Sequence, residues 1–183
     1  MTGSVQAMEA SRDGMLSWSF NRMCAMLGAI TAPIVGLDQL TKFYIASHFP
    51  LYATRSIIPN WLDLTYTLNP GAAFSLFATM PAMVREGFFL VLSCVATVVL
   101  LVLLGRRSTS ATSGAGFALM LGGTLGNLID RLVRGRVVDF IYFHHYSFSY
   151  PVFNVADSAI TIGVATILLA SFLSHPELNR SSA

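Results

Sequence analysis

The sequence predicts a mainly α-helical membrane protein with four transmembrane helices and a small β element between the first and the second. Its hydrophobic fraction is 54% and its mean hydropathy is +0.64, whereas soluble domains are roughly 45–50% apolar. Only 11% of its 183 residues are charged. The uncharged run 87–104 is long enough to cross the hydrocarbon core, which takes about 20 helical residues and roughly 17 at the least.

The other spans carry polar residues, so only 87–104 is predicted from hydropathy alone. Together the segments form one membrane domain, residues 23–173, preceded by a polar, flexible extension at 1–22 and followed by a short tail at 174–183. In chain order, the predicted spans are residues 23–46, 87–104, 115–133 and 155–173.

A surface β element is predicted at about 47–83. Residues 62–68, LDLTYTL, alternate apolar and polar side chains, which is the two-residue period of a half-buried strand. Turn signals stand on both sides, at residues 59–60 and 69–71. The connection 134–154 is rich in aromatic side chains, which favour the membrane–water interface.

The charge and the metal-ligating residues exclude several classes of function. A net charge of +2 without a basic cluster predicts no nucleic-acid partner. The cysteines and histidines have no metal spacing, so neither a metal nor a cofactor is expected. Lysine and arginine are distributed almost equally between the two sides of the predicted membrane, so charge alone does not orient the chain.

With four spans, the polar residues converge on one membrane face, whichever way the chain is inserted. The end of the first span, the long connection after it, the end of the third span, the connection 134–154 and the start of the fourth span share that face. It collects Asp38, Lys42, Asn69, Asn127, Asp130, Arg131, Asp139, Asn154 and Asp157.

Asp139 and Asp157 flank the last connection and are the candidate catalytic pair. Two carboxylates in one low-dielectric site cannot both ionise cheaply, so one keeps its proton. Such a pair can deprotonate a water that attacks a carbonyl and protonate the leaving amine. This pattern predicts metal-free aspartic-protease chemistry.

Structural interpretations of the same residues stay open. Asp38 within the first span costs about 2.5–3.5 kcal/mol on insertion scales, and pairing with Lys42 would offset this cost. Asp157 would also be favourable simply as an early-turn carboxylate of the fourth helix, with Asn154 as its N-cap.

Two further patterns have structural interpretations. Asp130 and Arg131 would form a local ion pair. Gly122 and Gly126 have the spacing of a face on which helices pack closely.

Five motifs, taken in order and spacing, resemble the lipoprotein signal peptidase (signal peptidase II) family over about residues 33–173. That family consists of bacterial inner-membrane aspartyl endopeptidases with four transmembrane helices. The motifs are DQLTK (38–42), NPGAAF (69–74), GGTLGNLIDR (122–131), VVDF (137–140) and FNVADS (153–158).

The resemblance implies removal of the signal peptide from diacylglyceryl-modified prolipoproteins, by cleavage before the lipidated cysteine, without a cofactor. It implies an inner-membrane location, in contact with membrane lipids, with both termini and the tail in the cytoplasm and the active site outside. A monomer is expected, because nothing in the sequence requires a partner chain. Asp139 and Asp157 would be catalytic. The residues that would support catalysis or bind substrate are Asp38, Lys42, Asn69, Gly71, Asn127, Asp130, Arg131, Asn154 and Ala156.

Two other classes of protein would also use polar residues in a membrane. A transporter or channel could relay protons through intramembrane carboxylates, and it would need polar residues on both faces. A structural subunit could use the Asp38–Lys42 pair and the glycines only to hold helices together.

Overall fold

The computed structural model describes residues 20–71, 80–106 and 109–174, and each predicted span lies within one of its helices. Helix α1 begins at Phe20, so it includes the last residues of the predicted extension, and the rest of that extension lies outside the described residues. The elements, in chain order, are α1 (Phe20–His48), β1 (Thr54–Ile58), β2 (Leu62–Asn69), α2 (Ala82–Gly105), α3 (Ala111–Arg134), β3 (Val137–His145), β4 (Phe148–Ser149) and α4 (Val155–Ser174).

Three described helices, α1, α2 and α4, are long and apolar enough to cross a membrane. Their outward faces expose large apolar side chains, such as Phe43, Val91 and Leu168. Helix α3 is 24 residues long but less apolar. It packs against each of the other three helices, and its buried side chains are largely small or polar.

Glycines allow the close approach of α3 to its neighbours. A Cβ at Gly123 would collide with the backbone of Ala156 on α4, and one at Gly126 would collide with the carboxylate of Asp38 on α1. A Cβ at Gly122 would likewise meet Ile34. The predicted packing face on α3 is therefore confirmed, and it brings α1 and α4 close to the polar end of α3.

At its other end α3 packs on an apolar core. Leu100 and Leu104 of α2 meet Ala118 and Leu121 of α3 there. A π-helical segment of α1, Leu27–Thr31, lies beside this core, and π-helical turns often mark functional or constrained places in a helix. The hydroxyl of its buried Thr31 donates to the Ala118 carbonyl, at 2.9 Å.

The strands form one four-stranded antiparallel sheet in the order β1-β2-β3-β4. The predicted strand at 62–68 is confirmed as β2. The predicted β element between the first two spans, about 47–83, is present as β1 and β2, but the prediction was incomplete, because the sheet also takes β3 and β4 from the last connection. Residues 72–79 of the predicted element lie outside the described residues.

Strand β3 has no alternating pattern at its start because its first four residues are all buried. Val138 and Phe140 pack with Ile45, near the end of α1, in a small core beneath the sheet. Asp139 lies between these two residues in sequence, and Thr67 of β2 is its cross-strand partner. The sheet therefore holds Asp139 directly above the polar end of α3.

Candidate active site

Asp139 is fixed on β3 by two amide side chains from other elements. Its side chain is almost completely buried, and the residue is only 2% exposed. Asn154 Nδ2 donates to its Oδ1 at 2.7 Å, and Asn69 Nδ2 donates to its Oδ2 at 2.9 Å. Both carboxyl oxygens of Asp139 therefore have a defined direction.

Asp157 is fixed by the first turn of α4. Its Oδ2 accepts from the backbone N–H of Asn154 at 3.2 Å, while Asn154 Oδ1 accepts from the backbone N–H of Asp157 at 2.9 Å. This reciprocal arrangement is a capping box, and the predicted N-cap role of Asn154 is confirmed. Asn127 of α3 donates to the other carboxyl oxygen of Asp157 at 2.8 Å.

Asn154 consequently contacts both carboxylates. It is completely buried, and its amide also reaches Asn127 Oδ1 and the Val138 carbonyl, each at 3.2 Å. The residues predicted as a pair, Asp139 and Asp157, are thus brought to one site by a single residue, whose side-chain amide donates to the Asp139 carboxylate and whose backbone N–H donates to the Asp157 carboxylate.

The buried position of Asp139 changes its acidity. Burial, and then the charge of Asp157, raise the pKa of Asp139 from its ordinary 3.8 to about 7. The hydrogen bonds from Asn69 and Asn154 and the charge of Lys42 oppose this rise. Near neutral pH, Asp139 therefore holds a proton for a large fraction of the time and could donate it to a substrate oxygen.

A buried ionic cluster centred on Lys42 lies beneath this pair. Lys42 Nζ is 2.8 Å from Asp38 Oδ2 and 2.9 Å from Asp130 Oδ2, and it donates to Asn127 Oδ1 at 3.0 Å. The charged side chains in the cluster are completely buried. The predicted pairing of Asp38 with Lys42 is confirmed. Because Lys42 binds the oxygen of Asn127, the amide nitrogen of Asn127 is oriented toward Asp157.

Asp38 also reaches α4. Its Oδ1 accepts from the backbone N–H of Ala156 at 3.0 Å, and Ala156 is completely buried. Gln39 Nε2 supports the same region by donating to Asp38 Oδ2 at 3.1 Å and to the Gly126 carbonyl at 3.0 Å. The first turn of α4, which carries Asp157, is thereby tied to both α1 and α3.

Asp130 joins the end of α3 to β3. Its Oδ2 accepts from the backbone N–H of Val138 at 3.0 Å, and its Oδ1 pairs with Arg134. The predicted ion pair with Arg131 was wrong, because the described cationic side chains that pair with Asp130 are those of Lys42 and Arg134. Successive residues on a helix point in different directions, whereas residues four apart share a face.

Arg131 instead turns toward α2 and the carboxylate pair. Its Nη1 donates to Ser93 Oγ and to the Asn127 carbonyl, each at 3.2 Å, and its Cζ lies 5.8 Å from the centroid of the Phe89 ring. The guanidinium interacts electrostatically with both Asp157 and Asp139. Ser93 was not identified from the sequence as part of the site. The feature that could have identified it is a hydroxyl side chain on an otherwise almost uniformly apolar helix.

The turn after β2 orients Asn69. Gly71 has a φ of +94°, which favours glycine, and its backbone N–H donates to Asn69 Oδ1 at 2.8 Å. With its oxygen bound in this way, Asn69 presents its nitrogen to Asp139. A Cβ at Gly71 would collide with the Phe89 ring, so the turn packs against α2.

A mainly apolar pocket of about 290 Å³ opens beside Asp157. Sequence reasoning did not single out its apolar lining. The pocket is lined by Tyr150, Phe153, Asp157, Ser158, Thr161 and Ile162.

Among the residues that the structure describes, no group of three or more His, Cys, Asp or Glu side chains could hold a metal ion.

Known proteins share both the sequence and the fold. The family model for signal peptidase (SPase) II matches residues 30–173. The lipoprotein signal peptidase of Syntrophus aciditrophicus is 40% identical over 146 residues, which cover 79% of this chain and 91% of that protein. The lipoprotein signal peptidase of Photorhabdus laumondii subsp. laumondii is 43% identical over 142 residues, covering 77% and 84%.

Two solved structures, each described as a bacterial membrane enzyme, have the same fold. One has a TM-score of 0.70 at 30% identity and covers 85% of this chain and 91% of its own. The other has a TM-score of 0.68 at 32% identity and covers 78% and 89%. With the family match over most of its length, this chain belongs to the signal peptidase II family, the membrane proteases that remove signal peptides from prolipoproteins.

Proposed function

We propose that this protein is an aspartyl endopeptidase that cleaves diacylglyceryl-modified prolipoproteins immediately before the lipidated cysteine. Family membership supports removal of the signal peptide. The aspartyl mechanism rests mainly on one observation, the contact of Asn154 with both Asp139 and Asp157. The charge of Asp157 also raises the pKa of Asp139, which supports carboxyl groups close enough to share one proton and bind one water.

In the proposed reaction, Asp139 begins protonated and Asp157 begins ionised. Asp157 takes a proton from the water as the water oxygen attacks the scissile carbonyl, and Asp139 gives its proton to the carbonyl oxygen. As the tetrahedral intermediate collapses, Asp157 protonates the leaving amine and the intermediate returns a proton to Asp139. Each carboxyl group ends in its starting state, as general acid–base catalysis requires.

Arg131 is the group we propose to stabilise charge on the carbonyl oxygen. Its guanidinium interacts with both carboxylates while Ser93 and Phe89 hold it from α2. A preorganised donor of this kind contributes on the order of 10²–10³ in rate. Asn127 has a supporting role, because its amide connects Lys42 to Asp157.

The pocket beside Asp157 would receive an apolar part of the substrate next to the scissile bond. Its walls are largely apolar, and Ile162, on one wall, is 57% exposed on the outward face of α4. The acyl chains of the substrate would then remain in lipid, and the bilayer would limit the search for substrate to two dimensions.

We further propose that α3 is the fourth transmembrane helix, in a monomer embedded in the bacterial inner membrane. Its length of 24 residues is sufficient to span the hydrocarbon core, and its neighbours shield its less apolar surface from lipid. The connections that carry the sheet would then lie outside, together with the carboxylate pair, and both termini would lie in the cytoplasm.

A single comparison tests the proposed function. The detergent-purified protein is incubated with diacylated and unacylated forms of one prolipoprotein, and the products are identified by mass spectrometry. We expect cleavage of the acylated form alone, with a new N-terminus at the lipidated cysteine. Cleavage of neither form by the folded protein, or equal cleavage of both, would contradict the proposal, and proton flux in liposomes without cleavage would favour a transporter.

A further inference from the structure

Helix α2 buries one narrow stripe against α3, and that stripe changes in character along its length. Toward the end of α2 it is apolar, with Leu100 and Leu104 in the core with α3. Nearer the sheet it contains two hydroxyl side chains, Ser93 and Thr97, each partly buried. Apolar residues would pack as well against another helix, so these hydroxyls call for a specific explanation.

Both hydroxyls donate to a carbonyl one turn earlier in α2. Ser93 Oγ donates to the Phe89 carbonyl at 2.8 Å, and Thr97 Oγ1 donates to the Ser93 carbonyl at 2.8 Å. This local bond satisfies the hydroxyl proton and leaves the oxygen lone pairs available. Ser93 alone uses them on another helix, by accepting from Arg131 Nη1 at 3.2 Å.

We propose that Ser93 is a positioning residue for Arg131 in the cleavage reaction, which rests on the function proposed above. The guanidinium is held by three groups: the Asn127 carbonyl on its own helix, and Ser93 Oγ and the Phe89 ring on α2. Because the Ser93 hydroxyl donates its hydrogen bond to the Phe89 carbonyl, its oxygen acts as the acceptor for Arg131. Its position is rigid because it is tied to the α2 backbone.

Fixing Arg131 matters because arginine has a long side chain with several rotatable bonds. Without Ser93, the guanidinium would lose its one described hydrogen bond to α2 and would keep the Asn127 carbonyl, the Phe89 ring and the charges of the nearby carboxylates. Phe89 also packs against the turn at Gly71, and this turn orients Asn69 toward Asp139. The same turn of α2 therefore supports groups on two sides of the carboxylate pair.

The chain offers a matched control for the test. Ser93→Ala removes the acceptor for Arg131, whereas Thr97→Ala removes a comparable hydroxyl four residues further along the same helix. We expect Ser93→Ala to lower kcat about tenfold, as for loss of one hydrogen bond to a charged group, with KM little changed. Thr97→Ala should keep normal kcat, and Ser93→Thr should restore it. Normal kcat in Ser93→Ala, or an equal loss in Thr97→Ala, would overturn the proposal.

A double-mutant cycle then separates positioning from general damage to the helix. If Ser93 acts through Arg131, the effect of Ser93→Ala should disappear in an Arg131→Lys background. An equal loss in both backgrounds would contradict the proposal. If Arg131→Lys has no measurable activity, the Ala, Thr and Thr97 comparison decides alone. Asp139→Asn in the same assay tests the proposed function separately, because its inactivity would stand whatever the result at Ser93.

Discussion

Asn154 and Asp157 exchange two hydrogen bonds at the start of α4, and the same Asn154 donates its amide to Asp139. The interactions that begin a helix therefore also place one candidate catalytic carboxylate beside the other. Because a capping box forms within four residues, the position of Asp157 is determined locally. The position of Asp139 depends on the sheet, so the pair exists only when the sheet and α4 are assembled together.

The first prediction concerns the two carboxylates. Asp139→Asn and Asp157→Asn should each reduce cleavage by at least about 10²–10⁴-fold, because each removes an acid or base from the reaction. Both variants should remain folded, because asparagine has nearly the same shape and retains an oxygen acceptor. The measurements are cleavage of a diacylated peptide and thermal unfolding in detergent.

Asp63→Asn is the control for these variants. Asp63 lies on β2 and binds His144 at 3.0 Å, away from the carboxylate pair. The Asp63→Asn variant should therefore retain normal cleavage. Substantial activity in either Asp139→Asn or Asp157→Asn would show that the pair is not the catalytic group.

The second prediction concerns pH. Since burial and the charge of Asp157 raise the pKa of Asp139 to about 7, its proton is present below this pH and lost above it. A mechanism that needs that proton predicts that kcat falls as pH rises through about 7. The measurement is kcat at saturating substrate over a series of buffers at constant ionic strength.

Histidine titrates in the same range, so a control is needed. His144→Gln should keep the decline, because His144 contacts Asp63 rather than the carboxylate pair. If the decline moves or disappears in that variant, Asp139 is not its source. A rate that stays flat between pH 6 and 9 would also contradict the assignment.

The third prediction separates Asp130 from the catalytic pair. Asp130→Asn leaves Lys42 and Arg134 without one of their carboxylate partners and weakens the contact with the Val138 N–H. Removing one partner of a buried ion pair costs about 3–5 kcal/mol. We expect lower expression and a lower Tm at least as clearly as lower turnover.

Glu86→Gln is a suitable comparison for Asp130→Asn. Its ion pair with Arg136, at 3.5 Å, joins partly exposed side chains, and exposed pairs contribute roughly 0–1 kcal/mol. Its Tm should change little. An Asp130→Asn protein that is as stable as the parent and wholly inactive would place Asp130 among the catalytic groups.

The fourth prediction tests the pocket beside Asp157. Thr161→Phe places a large ring in a space of about 290 Å³, so it should raise KM for the acylated substrate severalfold while the carboxylate pair remains intact. Thr166→Phe is the control, because Thr166 lies on the same helix, is partly exposed, and does not line the pocket. Equal kinetics for the two variants would show that substrate does not enter this pocket.

Hydropathy and motif spacing predicted the helices and the residues of the site because these signals are local in the sequence. The reciprocal cap of Asn154 and Asp157 and the pairing of Asp38 with Lys42 are also local, over three and four residues, and both are present. The roles of these residues in catalysis remain predictions.

Contacts between distant segments were not predictable in the same way. Strand β3 starts with residues buried on both faces, so it lacks the alternation that identified β2. The pairing of Asp130 with Lys42 depends on the rotation of α3 relative to α1, and the contact of Ser93 with Arg131 depends on how α2 packs on α3. Such relations follow from tertiary packing rather than from the pattern of one segment.

The glycine-rich, polar character of α3 has a consequence for biogenesis. The surface of α3 is suited to contact with other helices rather than with hydrocarbon. The isolated helix therefore gains little free energy by entering the bilayer. If α3 spans the membrane as we propose, its stable integration should therefore depend on α1 and α2, which precede it in the chain, being already in place at the translocon. A glycosylation reporter should accordingly record less complete insertion for isolated α3 than for isolated α2, and the two should become similar when the neighbouring helices are present.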